Sequence, residues 1–258
     1  MNAFLVLLNK EWTEAVRTSK LIWLPAVFAI LGITQPVLAK FMPDILKSAG
    51  SLPKGAVIDI PIAAPGEVLG QTLSQFGSIG ILAVCLGFMG MISAERRSGA
   101  AAWVLVKPVS PLAYLLSKWS VSMLITLASF AVGYAAAWYE TSVLIGTPDT
   151  ALALKAGIAY AGWLALIVTA VLAAGAWMNA PAAAAFIPFA GATVLQIVQG
   201  FGFQGLKFLP SSLASQAINS LRASEPLAVW GASATTVAAL ALFVWLAIGG
   251  VRTRPLNG

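Results

Sequence analysis

Glu95, Arg96 and Arg97 are consecutive charges in a chain of which only 9% of residues are charged. They open the run ISAERRSGAAAWVLVKPVSPLAYLLSKW at residues 92–119, which lies between two long apolar segments. Opposite charges at the start of a short helix suit ion pairing and docking. Gly99 loosens the turn, Ala100 to Val106 can continue the helix, and Pro108 breaks it. Trp103 and Leu105 would offer such a helix apolar contacts for a cleft on a partner.

Other chemistry is missing. No G-x-x-x-x-G-K-[ST] loop is present to cradle nucleotide phosphates. No cluster of His, Cys and carboxylates marks a catalytic metal, and no Ser stands with a His base. No charged residue lies well inside the apolar segments, which argues against a proton-driven transporter and an intramembrane acid–base enzyme. Gln35, Gln196 and Gln199 are the polar groups available to a substrate pathway, the last two spaced to share a helix face. Hydrogen bonding between helices explains the same three residues. Cys85, the one cysteine, lies in the middle of an apolar segment and reads as a buried structural thiol.

The elements that would carry these residues are membrane spans. Hydrophobic residues make up 59% of the chain, whereas an ordinary soluble domain is about 25% charged. About 20 apolar residues in a helix cross the hydrocarbon layer with every backbone group paired internally. Six segments meet that length: 21–39, 70–93, 112–138, 152–177, 182–200 and 227–251. Together they form one all-α polytopic domain over residues 1–258. Pro36 and Pro188 are expected to kink their helices and Pro181 to begin one. The first segment is expected to remain as a span, because the twenty residues before it are too long and too mixed in charge for a signal peptide.

With the N-terminus inside, the inner segments carry Lys10, Arg17, Lys20, Arg96, Arg97, Lys107, Lys118, Arg252 and Arg254. The outer segments carry fewer basic residues: Lys40, Lys47, Lys54, Lys155, Lys207 and Arg222. Both termini are therefore expected in the cytoplasm, in a plasma or inner membrane. The net charge of +6 belongs to this asymmetry and to anionic lipid, with no nucleic-acid footprint. Residues 3–20 read as an amphipathic helix along the inner surface, with Phe4, Leu8, Trp12, Ala15 and Val16 on one side and Lys10, Glu14 and Arg17 on the other. In the second span Gly80, Ala83, Gly87, Gly90 and Ala94 recur at spacings of three and four, a seam where helices can pack closely. Packing within the chain, a subunit interface and a substrate-facing groove all suit such a seam.

The charged run, with its Glu-Arg-rich helix start, Gly99, the P-V-S of 108–110 and the later Lys118, resembles the loop of ABC-2-type permeases, the membrane subunits of ABC exporters. After Gly99 three alanines stand where that family more often has Thr and an acidic residue. The resemblance implies that residues 94–107 form a coupling helix, with Glu95, Arg96, Arg97, Gly99 and Trp103 as its contacts with a separate ATPase. It also implies two permease subunits, identical or related, with two ATPase copies. ATP-Mg would be held by the ATPase, and this chain would bind no cofactor. Residues 201–225 would dip back into the outer membrane face, although an interfacial surface helix suits that composition equally. Few polar groups line the spans, so a peptide, lipid-like or hydrophobic drug cargo is expected. A non-transporting membrane scaffold or immunity protein is the alternative, needing neither ATPase nor coupling loop.

Overall fold

A computed structural model describes residues 3–48, 63–99, 110–201, 204–223, 227 and 229–253. Among these residues every regular element is a helix. Helix α1 is Ala3–Arg17, and α2 is Lys20–Ser48. Ser19 takes a left-handed φ of 55° between them, turning the chain from one axis to the next. The second span is built in pieces: α3 (Pro65–Gln75), a π-turn at Phe76–Gly80, α4 (Ile81–Phe88) and α5 (Gly90–Arg97).

Helix α6 is Pro111–Leu144, capped by Ser110, whose Oγ accepts from the Ala113 N–H at 3.1 Å. Helix α7 is Thr150–Trp177, capped by Asp149, which accepts from the N–H groups of Ala151 and Leu152. Helix α8 is Pro181–Gln199, and Pro181 does occupy its first turn. A 3₁₀ turn at Gln204–Phe208 leads to α9 (Ser212–Ala223), and α10 is Trp230–Thr253.

Six stretches are long and apolar enough to cross a membrane: Lys20–Pro43, Pro65–Arg97, Pro111–Leu144, Thr150–Trp177, Pro181–Gln199 and Trp230–Thr253. Each contains most of one expected segment. The second and third run well past theirs, to 33 and 34 residues, because the helices continue through the charged residues that flank the apolar runs, Glu67 and Glu95 in one and Glu140 in the other. Helix α7 is central and packs against α6, α8, α9 and α10. Helix α2 lies along α6, where Gly32 and Gly133 make the crossing possible. A side chain on Gly133 would strike the carbonyl of Phe28, and one on Gly32 the carbonyl of Gly133. Around the crossing, Phe28, Phe76 and Phe130 meet with centroids 5.0 to 6.5 Å apart, and Tyr134 and Tyr160 stack on Phe130.

Helix α9 lies among the spans. Leu213 sits 3.3 Å from where a methyl on Gly162 would be, roughly 18 Å along α7 from its Thr150 end. At its other end the Leu221 carbonyl abuts Gly66, close to the start of the second span. Gln199, the last residue of α8, donates to the Leu206 carbonyl at 2.9 Å and to Ser211 Oγ at 3.0 Å. Helix α9 thus packs chiefly against α7 and α3.

Candidate functional site

The charged start of the 92–119 run folds as the last turn of α5. Ser98 N–H bonds the Ala94 carbonyl and Gly99 N–H that of Arg96, and Gly99 takes a φ of +73° that favours glycine. Glu95 and Arg96 then point to different neighbours, and both are withdrawn from solvent, with Arg96 5% exposed and the Glu95 side chain 13%. Arg97 is exposed. Trp103 and the rest of the expected coupling helix, residues 100–107, lie outside the described residues.

Glu95 is the centre of an ion cluster built from three helices. Its Oε2 accepts from the Tyr114 hydroxyl at 2.6 Å and pairs with Lys118 Nζ at 3.0 Å, both from α6. Its Oε1 accepts from Lys10 of α1. Lys118 also donates to Glu11 Oε1 at 2.8 Å, and Lys10 bridges Glu11 at 3.0 Å and Glu14 at 3.6 Å. The Lys118 side chain is 0% exposed and that of Glu11 1%. Charges so far from water are tolerable only when paired, and removing one partner of such a pair typically costs about 3–5 kcal/mol. Lys118 also lies over the Tyr114 ring, 5.0 Å from its centroid.

Burial, the largest influence on Lys10, acts to lower its pKa. Hydrogen bonding to Glu95 and the charges of Glu11 and Glu95 outweigh burial, so the ammonium titrates above its ordinary range. Oxygens of Glu11, Glu14 and Glu95 lie within 4.8 Å of one another, close enough to hold a metal ion, yet Lys10 reaches all three carboxylates. A cation of the chain's own therefore stands among them.

Arg96 turns the other way. Its Nη1 donates to the Ala176 carbonyl, in the last turn of α7, and to the Gly250 carbonyl of α10 at 3.3 Å. Carbonyls at helix C-termini lack intrahelical donors and carry the negative end of the helix dipole, so a guanidinium satisfies both needs. Trp177 Nε1 donates to the Leu246 carbonyl at 2.9 Å, tying the same two helix ends.

The expected pathway residues bond within the chain. Gln35 Nε2 donates to Gln71 Oε1 at 2.8 Å, Gln196 Nε2 to the Gly77 carbonyl in the π-turn at 3.2 Å, and Gln199 to the turn before α9. The second-span seam receives side chains. Methyls on Gly80 and Gly87 would stand 3.1 Å from the Phe28 ring and 3.3 Å from Trp23, while Gly90 has only Ala94 of its own helix nearby. Ala83 is buried beside them.

Sequence reasoning missed Glu11, Tyr114 and Lys118 as site residues. Glu11 carried a signal, since it falls at i+4 from Leu7 and i−4 from Ala15, and these three form the buried stripe of α1. A carboxylate in an apolar stripe needs a partner. On this helix Leu5, Trp12 and Val16 are exposed on another side, so α1 has a protein-facing stripe as well as an apolar outer one.

The description "ABC-2 family transporter protein" belongs to the family model that matches residues 5–228. The chain is also similar to YxlG of Bacillus subtilis (strain 168), described as an uncharacterized transmembrane protein. The two are 34% identical over 236 residues, which cover 91% of each chain. Five of the six candidate spans, with Glu11, Glu95, Arg96 and Lys118, fall within the family match, and α10 lies beyond it. With its six candidate spans, the chain belongs to the ABC-2 family of transporter proteins, as a multi-pass membrane component of a transporter.

Proposed function

We propose that this chain is the permease subunit of an ATP-driven exporter in the plasma or inner membrane, with both termini cytoplasmic. Two permease subunits, identical or related, enclose the pathway, and two copies of a separately encoded ATPase supply ATP-Mg chemistry. Helix α1 lies at the inner surface with Leu5, Trp12 and Val16 toward lipid. Closure of the ATPase pair displaces the loop after Arg97 and, through it, the spans.

The observation that carries this reading is the anchoring of Glu95 and Arg96. Side chains at the mouth of the loop are buried and bonded to α1, α6, α7 and α10, so a displacement there cannot stay local. A solvated charged turn would have no such reach. Glu95 serves as an internal link in this mechanism, and docking falls to Arg97 and the segment beyond it. An apolar groove of about 520 Å³ between α6 and α7, lined by residues such as Phe130, Tyr134, Trp138 and Ile158, supports a peptide, lipid-like or hydrophobic drug cargo.

The test is mild-detergent purification of the tagged chain from its native host, with co-purifying proteins identified and ATP hydrolysis assayed. A stoichiometric ATPase whose turnover changes in Glu95→Gln is the expected result. Reproducible recovery of the intact chain without an ATPase would replace this reading with the scaffold or immunity one.

A further inference from the structure

Glu95 and Arg96 are adjacent in sequence, yet their described hydrogen bonds and ion pairs go to different helices, with the Arg96 charge also acting on Tyr114. The Glu95 set is Lys10, Lys118 and Tyr114, on α1 and α6, with Glu11 joined through Lys10 and Lys118. The Arg96 set contains the carbonyls of Ala176 and Gly250, near the ends of α7 and α10. Successive residues on a helix point about 100° apart, so one short turn can face two groups of helices at once.

We propose that Glu95 and Arg96 are positioning residues that divide the loop's movement into two branches, one to α1 and α6 through Lys118 and Lys10, the other to α7 and α10 through main-chain carbonyls. The proposal rests on the coupling role given to the loop above. Lys118 is the key residue of the first branch: fully buried, it is the one described cation that bridges α6 to both Glu11 and Glu95.

The branches differ in the groups they engage. In the first, Glu95 reaches α1 and α6 through side chains alone: Lys10 on one helix, Lys118 and Tyr114 on the other. In the second, the planar guanidinium grips two backbones directly, and a carbonyl cannot move without its helix. Arg96 therefore acts on the backbones at the ends of α7 and α10, while the ion cluster acts on α1 and α6 through their side chains. Independent biasing of two helix groups also gives a physical basis for a stepwise change in the bundle.

Hydrogen exchange of the full-length chain in detergent tests the division without any cargo. Lys118→Met, and the milder Glu11→Gln, should speed exchange in α1 by roughly tenfold while leaving residues 172–178 and 246–253 unchanged. Arg96→Met, and the charge-keeping Arg96→Lys, should do the reverse. If either set loosens both regions equally, the branches are one unit and the proposal falls.

The same measurement on the complex with its ATPase, with and without ATP, addresses coupling. In the unmodified complex ATP should alter exchange in both regions. Glu11→Gln should remove the response of α1 alone, and Arg96→Lys that of the α7 and α10 ends alone, a selectivity that a merely structural role would not produce. No ATP response in the unmodified complex, with the division intact in the isolated chain, would overturn the coupling reading and leave the two-branch architecture standing. Loss of both responses in either variant would overturn the division itself.

Discussion

The second span is held by charge at its Arg97 end and by shape around its π-turn. At the Arg97 end, Glu95 is fixed in defined directions by the buried Lys118 and Tyr114 of α6 and by the exposed Lys10 of α1. Around the π-turn, Phe76 meets Phe28 and Phe130 ring to ring, and the hydrogen bond from Gln196 to the Gly77 carbonyl stands beside them. Lipid is as apolar as these rings, so nothing squeezes them together as water would; they hold by contact area and fit. Charges choose a partner and a rotation, whereas rings set a distance and tolerate sliding. A region meant to transmit displacement belongs at the first kind of joint, and one meant to keep helices adjacent at the second.

That contrast is broken most severely at Lys118. Lys118→Met removes the buried ammonium that ties α6 to both carboxylates and leaves Glu11 and Glu95 with Lys10 alone between them, and should cost up to about 3–5 kcal/mol in thermal or detergent unfolding. Adding Glu11→Gln should restore part of the loss, because one buried charge is removed with its partner. Next comes Phe130→Ala, which empties the middle of the ring cluster. Its cost should fall below the about 3–5 kcal/mol of a soluble core, since only the lost packing counts when the surroundings are lipid. Smallest is Gln196→Leu, which removes one bond across helices and should cost about 0.6 kcal/mol. A Gln196→Leu loss as large as that of Lys118→Met would erase the distinction between the two regions.

Spans are legible in this sequence because the hydrocarbon layer demands about 20 apolar residues, and six runs supply them. Glu95 and Arg96 stood out for the same reason, as charges at the edge of such a run. Their destinations did not. Lys118 sits two turns into α6, where a lysine reads as a loop charge retained on the inner side, and its bond to Glu11 joins residues 107 positions apart. Pairings at that separation leave no periodicity in a single chain. Arg96 binds main-chain carbonyls, which every residue has, so no residue type near Ala176 or Gly250 advertised the contact.

Glycine shows the same limit from the other side. The regular spacing of Gly80 and Gly87 was visible, but that Phe28 and Trp23 fill the seam was not. The crossing at Gly32 and Gly133, where backbones touch, had no spacing to announce it because each helix contributes one glycine to it.

The π-turn at Phe76–Gly80 has an effect on phase. A π-turn takes one residue more than an α-turn, so it offsets everything after it by about 100° of rotation relative to everything before. Before it, the backbone of α3 at Gly66 abuts that of α9 at Leu221. After it come Glu95 and Arg96, each needing its own direction. Deleting one residue within 76–80 would regularise the helix and turn the Glu95 carboxylate about a quarter-turn away from Lys118, without changing any residue that touches it. Span 2 therefore behaves like a keyed shaft, whose length is read modulo one helical turn and whose key is a five-residue irregularity far from the charges it aims.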